Sequence, residues 1–206
     1  MRKGNALIGA GLALIAAALV LTLVNISDGA RAERAAAQAA AQLAAALPPD
    51  TEDASLPDTA EDELIVPDYL LDPTRAMPVE TVDGVDYVGM LRIPALDLEL
   101  PVIDRWSDAL LRLAPCRYSG SAYAGELVIC AHNYRAHFGS LSRLSVGDAV
   151  YFTDMDGNEF RYEVASLETL RPTAIEEMTA SGWALTLFTC TLGGRTRLAV
   201  RCAAAE

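Results

Sequence analysis

Cys190 closes the run Thr186-Leu187-Phe188-Thr189-Cys190, and a turn-forming Leu192-Gly193-Gly194 follows it. The run is β-like, so it delivers a sulfur to the rim of a sheet, where a substrate can reach it. Free cysteines are among the most buried residue types, so position alone does not make a nucleophile. A thiol needs a nearby base or cation to become one. A second β-like run, Val128-Ile129-Cys130-Ala131-His132-Asn133, reaches an imidazole at its own rim. His132 is the first candidate for that base. His137, in the loop ahead of Phe138-Gly139-Ser140-Leu141, is its rival. Past the glycine turn, Arg197 opens the next strand. Residues near a hairpin turn face back toward the end of the preceding strand. Its guanidinium can therefore lie beside Cys190 and stabilise a thiolate or an oxyanion. Arg195, in the turn, and Arg201, of the same alternation parity but farther along, are the other candidates.

The other cysteines, Cys116, Cys130 and Cys202, make no CxxC pair, and both histidines lie in one short stretch. A structural zinc site is not expected. A domain of this size needs no disulfide. Asp154-Met155-Asp156-Gly157 reads as a hairpin turn, because it lacks the length and terminal Glu of a calcium loop. No metal and no cofactor are expected.

The elements that must position these side chains are short strands broken by turn signals. Tyr87 to Ile93 ends at Pro94; Leu96 to Leu100 and Pro101 to Ile103 follow, with Pro101 pointing to an edge or a bulge. Leu127 to His132 is compact and apolar. Ala149 to Thr153 and Glu159 to Val164 flank the aspartate turn, and Ala184 to Thr189 and Thr196 to Arg201 flank the glycine turn. Short helical pieces fit at Ser107 to Leu113, Phe138 to Leu144 and Ile175 to Ala180. Many short strands with few helices predict a mainly β barrel or sandwich.

The segment before residue 82 is of other kinds. Met1-Arg2-Lys3 is basic, and no residue from Gly4 to Ser27 is charged. Ala6 to Val24 alone approaches the ~20 residues a helix needs to cross a bilayer. Basic Arg2 and Lys3 place the N-terminus in the cytoplasm and the rest of the chain outside. A cleaved signal peptide is the alternative, but this apolar run exceeds the usual ~7–15 residues of that segment. Arg31 to Leu47, rich in Ala, Gln and Leu, continues as a helical stalk until Pro48-Pro49. Asp50 to Glu80, rich in Pro and carboxylates, reads as an extended spacer. Within it Leu64-Ile65-Val66 and Tyr69-Leu70-Leu71 are apolar enough to dock on the domain or staple the spacer. The expected organisation is an anchor over residues 1–28, a stalk and linker over 29–81, and a globular domain over 82–206. A net charge of -12 excludes nucleic acid as a partner, since no basic patch exists to displace phosphate counterions. Membrane contact must then be hydrophobic, through the N-terminal helix.

At this point the chain resembles the sortases. Thr186 to Cys190 resembles their TLxTC signature, and Arg197 stands where their active-site arginine stands. Val128 to His132 resembles the strand that ends in the catalytic histidine. Phe138 to Leu144 with Gly147-Asp148 resembles the family's short helix and return strand. Val88-Gly89-Met90-Leu91-Arg92-Ile93-Pro94 and Leu96 to Val102 resemble its opening strands. The resemblance spans roughly Val82 to Cys202. It implies an eight-stranded β-barrel with short helices behind a transmembrane helix and linker. It implies a cysteine transpeptidase that cleaves an LPxTG-like sorting signal and passes the acyl group to an amine of the cell wall or of a pilin. Cys190, His132 and Arg197 would be catalytic. Thr189, Ala122, Asn133, Leu170 and Ile175 would contact substrate, on a groove shaped by Arg171 to Trp183. The chain departs from many sortases in having Ala131-His132-Asn133 around the histidine. It lacks the long helix that class B members insert between Pro172 and Trp183. A hydrolytic cysteine peptidase of the cell envelope and a non-catalytic surface-binding domain are the competing functions.

Overall fold

The structure, a computed structural model, describes residues 2–47, 67–179, 182–191 and 193–205. Pro48-Pro49 and Leu64-Ile65-Val66 lie outside the described residues. The long helix α1 runs unbroken from Arg2 to Ala46, so the stalk is a direct continuation of the apolar run. Ser27-Asp28-Gly29 does not interrupt it, because neighbouring alanines carry strong helix propensity across the junction.

The strands are β1 (Glu80–Val82), β2 (Val85–Ile93), β3 (Leu98–Ile103), β4 (Cys116–Ser119), β5 (Leu127–Ala131), β6 (Ala149–Asp154), β7 (Glu159–Leu170), β8 (Leu185–Cys190) and β9 (Arg197–Ala204). They hydrogen-bond in the order β1-β2-β3-β4-β5-β8-β9-β7-β6, and β6 pairs back onto β2. Eight strands thus close into a barrel, with β1 as a hairpin extension beside β2. The closure depends on Gly89. A Cβ there would strike the Thr153 carbonyl and the Phe152 ring, so only glycine lets β2 and β6 meet.

Two helical turns are short: α2 (Asp68–Leu71) and α3 (Ile175–Thr179). Single 3-10 turns at Leu110–Arg112 and Leu141–Arg143 stand where longer helical pieces were expected. β7 runs on to Leu170, past the expected end at Val164. The strand leaves β6 at Glu163 but stays paired with β9 to its end, and the register shift between Val164 and Ser166 breaks the period-two pattern on the way. Pro101 pairs with Met90, and β3 meets β4 only at Ile103 and Cys116, so the proline sits on an almost open edge.

Alternation divides each strand between two cores. Leu127, Ile129, Leu185, Leu187, Val200 and Cys202 fill the barrel interior. Val128, Cys130, Phe188 and Ala199 face outward into a second cluster. Ala39 and Leu43 of α1 join that outer cluster with Tyr87, Met90 and Ile103, so α1 lies on the outside of the barrel and covers β3. The residues just before β1 also belong to the packing. Met77 is buried, with its sulfur accepting from the Ala122 N–H at 3.4 Å, and Tyr69 stacks on Tyr123 at 4.8 Å. Leu70 and Leu71 stay exposed.

The aspartate turn is a hairpin, as its sequence indicates. Asp154 is fully buried and accepts from the Asp156 and Asn158 amides, from Asn158 Nδ2 and from the Tyr123 hydroxyl. Its oxygens are occupied in shaping the turn.

Candidate active site

The topology brings three strand ends together. β5 and β8 run parallel, with Ala131 opposite Thr189, so His132 emerges beside Cys190. β9 runs back antiparallel, with Cys190 directly opposite Arg197. Adjacent strands stand ~4.8 Å apart, so the imidazole, thiol and guanidinium originate from neighbouring positions on one rim. Directly opposed residues share a face. By alternation Cys130, Phe188, Cys190, Arg197 and Ala199 all belong to the outer face, so the site lies on the outer surface and not in the barrel lumen.

Cys190 is the one partly exposed cysteine; Cys116, Cys130 and Cys202 are buried. Burial pushes the Cys116 and Cys202 thiols up to about 12 and raises that of Cys130 as well, which keeps these three protonated and inert. His132 is half-buried. Burial, followed by the charge of Arg112, lowers its pKa below the ordinary imidazole value, and Asp108 opposes the shift. The ring is therefore neutral near pH 7 and able to accept a proton.

The rival His137 has a different setting. It is fully buried, and neither ring nitrogen makes a hydrogen bond among the described residues, although two backbone carbonyls lie near it. Burial, followed by the neighbouring His132, lowers it to about 4, against the opposing carbonyls of Leu113 and Ala32. Tyr134 links the two imidazoles, with ring centroids 4.9 Å from His132 and 5.6 Å from His137. His137 is a packing residue between the rim loop and α1.

Arg197 is half-buried, and its Nη1 donates to the Gly194 and Thr196 carbonyls at 3.2 Å each. Arg195 is exposed in the turn. Arg201 is held elsewhere. It is 1% exposed, and its guanidinium donates to the Glu177 and Met178 carbonyls, to Thr186 Oγ1 and to Glu168. It thus clamps α3 and the loop after β7 onto the outer face of β8 and β9. Sequence reasoning missed this role. The available signal was its parity with Arg197 on a strand whose outer face is covered by the segment between β7 and β8.

Leu170 pairs with Arg197 and so adds the end of β7 to the rim. Ile175, 53% exposed, follows at the start of α3, and half-buried Asn133 adjoins His132. Thr189 is buried, and its hydroxyl donates to the Ala131 carbonyl at 2.8 Å, which pins β8 to β5 beside Cys190. The structure does not bring Ala122 to this rim. It precedes β5 at the Leu127 end, about 13 Å away at ~3.3 Å per strand residue. Two aromatics outside the expected set lie on the same outer face, beside Phe188. Tyr118 meets Phe188 edge-on at 5.2 Å, and Trp106 stacks on Tyr118 at 5.5 Å.

The Sortase domain family model matches residues 91–205. No curated protein sequence matches the chain. Among solved structures, the chain is similar to sortase C1 from Streptococcus suis, at 26% identity and a TM-score of 0.52 over 58% of this chain and 73% of that one. It also shares the fold of Streptococcus pneumoniae sortase C, at 24% identity and a TM-score of 0.51 over 61% and 71% of the two chains. The Clostridium perfringens sortase D5 transpeptidase shares it at 19% identity and a TM-score of 0.52 over 62% and 83%. A closed barrel that gathers a cysteine, a histidine and an arginine on one outer rim, matched by the family model over more than half of its length, belongs to the sortase family, and the chain is a cysteine transpeptidase.

Proposed function

We propose that Cys190 is the nucleophile, His132 the proton carrier and Arg197 the oxyanion partner of a transpeptidase anchored on the outer face of a membrane. The carrying observation is the register that sets His132, Cys190 and Arg197 side by side on three adjacent strands. Cys190 gives its proton to His132 while sulfur attacks the carbonyl carbon of an LPxTG-like sorting signal. Arg197 and a backbone N–H hold the resulting oxyanion. The C–N bond breaks, His132 protonates the departing amine, and a thioester remains. An amine of the wall or of a pilin then attacks; His132 takes its proton, the C–S bond breaks, and the thiol is restored. Asn133, Leu170 and Ile175 border the path of the peptide. Thr189 acts through the strand pairing it holds, and Ala122 stands apart from it.

The anchor reading rests on α1. Its large apolar side chains from Leu7 to Ile26 are exposed, as expected of a helix that faces lipid. Basic Arg2 and Lys3 favour a cytoplasmic N-terminus, a single pass and an outward domain. The test incubates the detergent-solubilised chain with LPxTG-type peptides and an amine. Formation of the amide adduct, its loss in Cys190→Ala, and a thioester trapped on Cys190 support the proposal. Activity retained by Cys190→Ala overturns it, and hydrolysis without adduct favours the peptidase.

A further inference from the structure

Residues Leu7 to Ile26 of α1 include a nearly continuous series of exposed large apolar side chains. A few residues on, the same helix changes role. Ala32, Ala36, Ala39 and Leu43 are buried, at spacings of about one helical turn, on the face turned to the barrel. Ala32 is fully buried close to the loop that follows the rim: its carbonyl lies near the equally buried His137, whose loop begins one residue after His132. The apolar run and the face that packs on the barrel belong to one helix without a break.

That continuity sets a height. From Val24 or Ile26, where the apolar run ends, to Ala32 is six to eight residues, or about 9–12 Å along the axis at ~1.5 Å per residue. The headgroup layer on each side of a bilayer is itself about 5–7 Å thick. Tilt of the helix shortens the remainder. The rim loop is suited to that level. Asn133 to Gly139 contains half-buried Tyr134 and exposed Arg135 and no carboxylate, in a chain with 28 acidic residues against 16 basic ones. Aromatic rings and arginines are the side chains that favour the headgroup zone.

We infer that α1 seats the barrel directly on the outer leaflet, with the Asn133–Gly139 loop and the neighbouring catalytic rim at headgroup height. The partner is the lipid surface. The inference rests on the proposed membrane anchor and extends it. A stalk and spacer that lifted the domain clear of the membrane would leave α1 undocked, whereas here α1 is itself part of the outer core. A scissile bond then has to be presented close to the bilayer, as it is in a chain that is still membrane-tethered.

The test uses the full chain in phosphatidylcholine–phosphatidylglycerol vesicles, with Cys190→Ala to keep labelling specific. A fluorophore is placed at Arg135→Cys, and in separate proteins at Arg34→Cys and at Ala45→Cys. Lipids with a headgroup quencher are then added. Ala45 lies 13 residues beyond Ala32, or ~20 Å higher along the helix. We expect Arg135 to be quenched like Arg34 and far more than Ala45. Quenching at Arg135 no greater than at Ala45 overturns the seat while leaving the anchor intact. Failure of the chain to float with vesicles overturns both, yet leaves the Cys190 chemistry measurable in detergent. In a chain with active Cys190, seven helix-forming residues inserted between Asp28 and Gly29 add ~10 Å while nearly preserving helical phase. That change should abolish the Arg135 quenching in the labelled form and reduce turnover of a lipid-anchored peptide, with a soluble peptide turned over as before. Equal loss with both peptides, or loss with neither, counts against the seat.

Discussion

Each of the four cysteines differs from the others by its environment, and that difference makes the first prediction. Cys116, Cys130 and Cys202 are buried thiols held in their protonated form, whereas Cys190 is on the rim. Replacing any of the three by Ala should leave turnover within about twofold and cost roughly 1 kcal/mol of stability from the lost packing. Urea midpoints and peptide turnover measure the two effects separately. Cys190→Ala should show the reverse: unchanged stability and no product. The lowered pKa of His132 gives a second prediction. Its neutral form persists below pH 6.5, so the acid limb of kcat/KM should fall below that value. Arg112 contributes to the lowering, so Arg112→Gln should move the limb to higher pH, and Asp108→Asn should move it lower. An acid limb unmoved by either change would remove His132 from the proton transfer.

Two elements are held by single buried side chains. Arg201 satisfies the carbonyls of Glu177 and Met178 and so fastens α3 against β8 and β9. Arg201→Gln leaves those groups with fewer donors, a loss of about 1–3 kcal/mol for buried partners. The loop from Arg171 to Trp183 should then exchange amide hydrogens faster and KM should rise more than kcat falls, because the cysteine rim itself is untouched. The other element is the contact between the rim loop and α1, made over His137. Its folded pKa of about 4 lies below the ordinary 6.5, so between those values the unfolded chain binds the additional proton. The contribution is complete above pH 6.5 and declines as pH falls toward 4, by up to about 3 kcal/mol. His137→Phe should flatten this part of the stability profile, as read from denaturant midpoints at about pH 7 and 4.5.

For the whole molecule, α1 combines in one helix an apolar run long enough to cross a membrane and a face that packs on the barrel. A chain starting at residue 28 keeps the docking face, whereas one starting at residue 67 loses the buried Ala32, Ala36, Ala39 and Leu43, the last two from the outer core. Summed over one Leu and three Ala side chains, that loss is on the order of 3 kcal/mol. The shorter chain should melt lower and, with Tyr87, Met90 and Ile103 uncovered, aggregate sooner; calorimetry and light scattering distinguish the two. The reactive residue types, the turns and the sheet-rich texture were legible in the amino-acid order, because strand alternation and turn chemistry are local. Cys190 and Arg197 were also within reach of local reasoning, since one tight turn joins their strands. His132 directly follows a strand, which favours it over His137, but local reasoning could not place either ring in space. Only the parallel pairing of β5 with β8, between segments more than 50 residues apart, sets one beside the thiol, and only the tertiary fold buries the other. The same holds for Arg201 and for the N-terminal helix. Hydropathy determined that α1 can cross a membrane, but its packing against β1 and β3 arises from surfaces that exist only once the barrel has closed.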